Sequence, residues 1–431
     1  VGSSGGQAAA FTYDLARSVV YTRQGNPAWA SQERDGVVGI RPDDLFYGAR
    51  AGDVQPDWID TNKIAIPQAD EQQRLLVNLI TLMERDKMPL PRFWYLPRGE
   101  KAVVVLSGDD HSPSQAPGGT ASHFDRYKAL SPGGCSVANW DCVRSTSYVY
   151  PSATLTNAQA ATYTADGFEV ALHPLVSSCP TTSMTEAELG TYYDTQLTSF
   201  QAKYTSVPAQ VSSRTHCVYW PDWASNAKAE LARGIRLDAN YYHYPGAWIG
   251  AKPGFMNGGG FPMRFADLDG TQLDIYQANT NLTDESTTSF STSIASLLDN
   301  AVGAPGYYGA FAANVHTDAP APHAGAETIV AAAQARSVPL ISYKQLLQWV
   351  DGRNSSTIRG LNWNSGTFTF VTTVGAGANG LQTMLPLQGP TGTLTGITRA
   401  GSPVTYTVQT VKGIQYAMFT AVTATFVATY S

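Results

Sequence analysis

Charge is scarce in this chain: only 14% of its 431 residues are Asp, Glu, Lys or Arg. The 28 basic residues are scattered among 34 acidic ones and form no stripe, so there is no instrument for neutralising phosphates and nucleic acid is not expected as a partner. Long apolar runs are missing too. The longest clear one, Ala102 to Leu106, falls far short of the roughly eighteen residues a spanning helix needs, so no membrane span is expected. Cysteine is rare, and Cys135, Cys142, Cys179 and Cys217 all lie in one central stretch. No pair has the two-residue gap of a zinc knuckle, which argues against metal ligation by thiolates. The even count fits two disulfides, Cys135 with Cys142 and Cys179 with Cys217, out of three possible pairings, with four buried thiols in a reduced protein as the alternative. Long charge blocks are absent and 11% of residues are aromatic, which excludes a disordered chain.

What is present is 43% hydrophobic residue with 39 Gly and 25 Pro, a low-charge, turn-rich balance common in secreted carbohydrate-active proteins. A secreted or cell-surface location is expected. The opening Val1-Gly2-Ser3-Ser4 has no charged or apolar leader, so the chain reads as a mature or trimmed form. Its length predicts two or three domains. Residues 1–98 read as a short α/β segment: Asp14 caps a helix with Leu15, Val19 and Val20 on one face, and a second helix over 71–85 carries Leu75, Leu76, Leu79, Ile80 and Met83. From 99 to 352, strand runs alternate with helical stretches. Strands are predicted at 102–106, 168–172, 209–212, 235–238, 272–276, 309–315 and 339–341, with helices at 186–204, 223–233, 289–300 and 325–336. Seven βα units suggest a distorted (β/α)7 barrel, whose chemistry would sit at the carboxyl ends of the strands. Residues 353–431 lose the helical period and alternate, as in Thr367-Phe368-Thr369-Phe370-Val371, which predicts a C-terminal antiparallel β-sandwich.

All seven histidines, His111, His123, His173, His216, His243, His316 and His323, lie in the middle of the chain. Imidazole is the commonest neutral metal ligand and the usual acid or base near neutral pH, so the chemistry is expected in the barrel. The strongest local signal is Val103 to His111, a buried strand running into Asp109-Asp110-His111. Adjacent carboxylates at a strand end diverge, so one can bind metal while the other serves as a base; capping of the next helix is the plain alternative. Further strand-end signals follow at His173, at Arg214 and His216, at Asp238 with the aromatic run Tyr241-Tyr242-His243-Tyr244, and at His316. Each alone is weak, but together they keep the order and spacing of successive strands.

On these residues the chain from about 99 to 352, roughly three fifths of the sequence, resembles the polysaccharide deacetylases of the NodB-homology type, and among them the divergent exopolysaccharide deacetylases. The resemblance implies a metal-dependent carbohydrate esterase on a distorted barrel, hydrolysing N-acetyl groups of an amino-sugar polysaccharide. Asp109 matches the catalytic base, Asp110 a metal ligand, His173 a second ligand, Arg214 the residue orienting the base, Asp238 the support of the catalytic histidine, and His316 the general acid. The family's second histidine ligand falls at Ser177, and His216 is expected to take its place, with His111 or His123 as alternatives. The N-terminal segment has a fainter likeness to the end of a glutamine-amidotransferase-like domain. A carboxylate with two neutral imidazoles suits a catalytic divalent metal, zinc above all, with cobalt, nickel or iron as alternatives. Rival readings are a metal-independent glycoside hydrolase using Asp109 and Asp238, and a non-catalytic carbohydrate-binding protein on a degenerate barrel.

Overall fold

A computed structural model of the chain describes residues 7–54, 56–111, 119–175, 179–243, 246–286 and 289–431. Ser177, Tyr244 and the first six residues lie outside the described residues. Two compact units emerge: one holds the described residues up to Leu15 together with Glu71–Lys101 and Gln348–Ser431, the other Ala16–Asp70 and Ala102–Leu347. The N-terminal segment is therefore divided between the units and does not stand as a third.

In chain order, β1 (Arg92–Phe93) belongs to the smaller unit and β2 (Ala102–Asp110) opens the larger unit's sheet structure. All nine residues of β2 are buried, as expected of a valine-rich strand covered on both faces. Then come β3 (Thr146–Val149), β4 (Glu169–Leu172), β5 (Ser212–Ser213), β6 (Leu237–Asp238), β7 (Met263–Ala266), β8 (Gln272–Gln277), β9 (Thr280–Thr283), β10 (Gly309–Asn314) and β11 (Leu340–Ile341). One sheet runs β4-β3-β2-β10-β9 with β11 also on β2, every pairing parallel. A second runs β5-β6-β8-β7, parallel except for β7. The expected continuous seven-stranded barrel is thus resolved into two sheets joined by the bridge between Tyr242 and Thr280. With only two residues each, β5 and β6 offer too few backbone groups to carry hydrogen bonding around the full circle.

Helices pack this unit through apolar stripes. In Phe290–Val302, Ile294, Leu297, Leu298 and Ala301 recur at three- and four-residue spacing and are buried, and Ser289 caps the start. They join the core containing Val104, Leu106, Phe311, Ile329 and Val330. Because the strands are parallel and connected by helices, their carboxyl ends and following loops fall on one side, which is where the polar strand-end residues meet.

In the smaller unit two antiparallel sheets share a core of Phe368, Phe370, Leu385, Ala417, Phe419, Phe426 and Ala428. Both expected disulfides, Cys135–Cys142 and Cys179–Cys217, are present. Among the described residues no helix is long and apolar enough to cross a membrane.

Candidate active site

A cavity of about 230 Å3 at the carboxyl ends of the strands is lined by Asp109, His111, His173, Arg214, His216, Glu285 and His316, with Arg41, Tyr242 and the Cys179–Cys217 disulfide in its walls. Asp109 is the penultimate residue of β2 and is buried. Its Oδ2 accepts from Arg214 Nε at 3.0 Å and from Asn314 Nδ2 at 2.9 Å. Its Oδ1 has no hydrogen-bond partner among the described residues and lies 4.0 Å from His173 Nδ1. Burial alone would raise this carboxyl's pKa; the Arg214 guanidinium and the imidazoles of His173, His316 and His111 reverse that and hold it well below the usual carboxylate range. Arg214 is itself fixed, its Nη1 donating to Ala239 O at 3.0 Å and Thr280 Oγ1 at 3.1 Å.

The imidazoles are oriented from behind. His173 Nδ1 donates to the Arg214 carbonyl at 2.8 Å, which leaves Nε2 buried without a partner among the described residues. Burial lowers its pKa to about 3, so the ring is neutral. His111 places Nδ1 3.1 Å from Asp318 Oδ2. Its ring centroid is 5.0 Å from that of His173, 5.3 Å from His216 and 5.1 Å from His316. The His173 and His216 rings are 5.7 Å apart. Metal-binding histidines characteristically give their second nitrogen to a carbonyl or carboxylate, and both His173 and His111 do so. Asp109, His111 and His316 also each offer a ligand atom within 4.8 Å of one another. An unpartnered buried carboxylate oxygen, an unpartnered buried imidazole nitrogen and two further converging rings fit a divalent metal, so these residues suit the group the sequence resemblance implies.

His316 differs from the others. Its backbone N–H and its Nδ1–H both donate to Asp284, each at 2.8 Å. Burial pushes its pKa down, but the Asp284 hydrogen bond and the charges of Asp109, Asp284 and Glu285 win and raise it to about 9. A histidine held as imidazolium at neutral pH is a proton donor, not a ligand.

Two expected residues stand elsewhere. Asp110 turns to the opposite face of β2, where its Oδ2 accepts from Thr120 N at 3.0 Å and Thr120 Oγ1 at 2.6 Å in the first turn of helix Gly119–Leu130. The strand's two-residue side-chain period forbids both neighbours from entering one cavity, so Asp110 caps a helix where a metal ligand was expected. Asp238 does not touch His316: it accepts from Asn240 N at 3.1 Å and lies beside Glu230. Burial first, then the Glu230 charge, raise the Asp238 pKa well above the ordinary value, which marks a buried acid pair. Asp238, the partner of Asp109 in the glycosidase reading, does not line the cavity. The support of His316 is Asp284, directly after β9. Of the other histidines, His123 donates from Nε2 to Ala319 O at 2.9 Å and His243 from Nε2 to Lys252 O at 2.9 Å; neither lines the cavity. Nδ1 of His323 accepts from Ala326 N at the start of helix Ala324–Gln334.

No family model and no curated protein matches the sequence. Among solved structures, the chain is similar to the polysaccharide deacetylase Bc1974 from Bacillus cereus, at 12% identity and TM-score 0.30 over 56% of this chain and 91% of that one. A Mycobacterium smegmatis protein described as a candidate polysaccharide deacetylase aligns at 15% identity and TM-score 0.41 over 63% of this chain and 98% of that one. Agd3, a carbohydrate deacetylase, aligns at 9% identity and TM-score 0.34 over 87% of this chain and 70% of that one. With TM-scores below 0.5, these likenesses carry no argument about the site or its chemistry.

Proposed function

We propose that the chain is a metal-dependent carbohydrate deacetylase that hydrolyses N-acetyl groups of an amino-sugar polysaccharide outside the cell. One observation carries the reading: a carboxylate held ionised by Arg214 keeps a bare oxygen 4.0 Å from His173, in a cavity also lined by His111, His216 and an imidazolium held by Asp284. His173 and His216 would hold the metal, as the sequence suggests, and His111 would take the place first given to Asp110; three imidazoles are a known zinc set. When bound, such an ion lowers the pKa of its water to about 7 and polarises an acyl oxygen.

The protein's own groups supply the proton traffic. Asp109 is ionised at neutral pH, and its free Oδ1 takes the proton while Arg214 and Asn314 fix Oδ2. His316 delivers the proton that lets the sugar amine leave as the C–N bond breaks, and water's oxygen goes to acetate. Asp284 holds the ring's Nδ1–H and so leaves Nε2 as the donating atom. Acetate release from N-acetylglucosamine and N-acetylgalactosamine oligomers tests this. Asp109→Asn is expected to lower release by at least about a hundredfold with metal content unchanged; full activity in that variant removes Asp109 as the base. Release that survives exhaustive chelation removes the metal.

A further inference from the structure

Residues 33–44 hold Glu33, Asp35, Asp43 and Asp44, none of which belongs to the catalytic set. Glu33, Asp35 and Asp44 each present an oxygen, and the three atoms lie within 4.8 Å of one another. A second observation comes from Asp43, which is 0% exposed. Its Oδ2 accepts the Tyr242 hydroxyl at 2.7 Å, but its Oδ1 has no partner among the described residues. That carboxyl packs against Asp35, whose Oδ2 is also buried and without a partner. Two buried carboxylate oxygens facing each other with no donor between them need a cation or a shared proton.

The basic residues nearby offset only part of this negative charge. Arg34 turns its guanidinium onto the Trp29 ring, 4.2 Å from its centroid, and onto Gln32 and Asp53. Arg41 faces Asp43 and Asp35, yet its Nη2 donates to Val38 O at 3.0 Å and its Nε has no partner among the described residues. The loop meanwhile fixes the carboxylates by backbone donors. Asp44 accepts from Asp35 N at 3.1 Å and from Arg41 N at 2.8 Å, Glu33 from Gly36 N at 2.6 Å, and Asp35 from Val37 N at 2.7 Å. The turn at Gly36 has φ +82°, a conformation that favours glycine.

We propose that Glu33, Asp35 and Asp44 form a calcium site, with the buried Asp43 carboxyl packed against Asp35 behind it. Oxygen-only donors, without imidazole or thiolate, suit calcium and not zinc. The site is separate from the catalytic metal, but it borders the same cavity: Tyr242, which donates to Asp43, and Arg41, which follows the loop's turn, both line it. Ile40 adds a backbone bond to Pro180 at 2.8 Å, beside Cys179. Calcium would therefore fix one wall of the substrate cavity.

The test is calorimetric titration of calcium chloride into the full chain after chelation, with thermal melts in parallel. Wild type is expected to bind calcium and to gain about 2 °C or more in Tm at millimolar calcium. Asp35→Asn and Glu33→Gln, both at partly exposed positions, should each weaken calcium at least about tenfold and abolish the melting shift, with zinc content unchanged. Wild type that stays folded and shows neither heat nor a melting shift at millimolar calcium overturns the proposal, leaving a proton shared by Asp35 and Asp43. Calcium binding that persists in Asp35→Asn but disappears in His173→Ala belongs to the catalytic cavity and also overturns it. Zinc and acetate release report the deacetylase reading separately, since neither depends on calcium uptake being observed.

Discussion

At Asp109 and Asp110, a single step along β2 separates a carboxylate exposed to a ring of imidazoles from one that caps a helix. Sequence placed both at a strand end and foresaw that neighbours diverge; which of the two enters the cavity depends on the sheet's handedness and on Arg214, which arrives from 105 residues away. His316 was legible as a polar strand-end residue because it follows a small-residue strand, while its role as an acid came only from the family resemblance; its partner Asp284 came from neither. Asp284 predicts a measurable pH dependence. With its pKa raised to about 9, His316 carries its proton below that value and loses it as pH rises through it, so deacetylation should fall on the alkaline side near pH 9. Asp284→Asn removes the charge that supports the imidazolium and should move that limb down toward about 6.5, costing about thirtyfold at pH 8. A pH–rate profile of this variant superimposing on wild type would show that Asp284 does not set the acid.

At the scale of elements, helices with regular apolar stripes were legible, the expected 186–204 and 325–336 appearing as Glu186–Lys203 and Ala324–Gln334, whereas Gly119–Leu130, Asn157–Ala165 and Tyr343–Ser355 were not foreseen. Short strands were not legible. The β9 sequence Thr280-Asn281-Leu282-Thr283 contains one apolar residue, so neither alternation nor an apolar run marks it, and Asp284 at its end went unseen. Its burial comes from parallel pairing with β10, a tertiary fact. The role was given instead to Asp238, which ends the better-marked β6. Packing between strand ends is also tight where sequence is silent. A Cβ at Gly108 would strike the Val315 carbonyl oxygen and the Thr317 methyl group, and the first of these is backbone that no rotamer change can move. Gly108→Ala should therefore cost about 1–3 kcal/mol by denaturant unfolding and displace the segment carrying His316, with activity falling more than stability. A variant as stable and active as wild type would show that the two segments have slack.

For the whole molecule, sequence gave the right order of polar strand ends but not the way the sheet divides. A barrel was expected because seven βα units usually close, whereas two-residue β5 and β6 leave hydrogen bonding split between two sheets. The N-terminal pieces read from sequence as too few for an independent domain, either the tail of a larger domain or an apron on the next one; by contacts, Ala16–Asp70 belongs with the larger unit. What survives these changes is the convergence of residues remote in sequence on one cavity. The most direct measurement is zinc content per chain in wild type, Asp110→Asn and His173→Ala prepared alike. The account predicts about one zinc in wild type and in Asp110→Asn, and its loss in His173→Ala. Zinc retained by His173→Ala and lost from Asp110→Asn would contradict it.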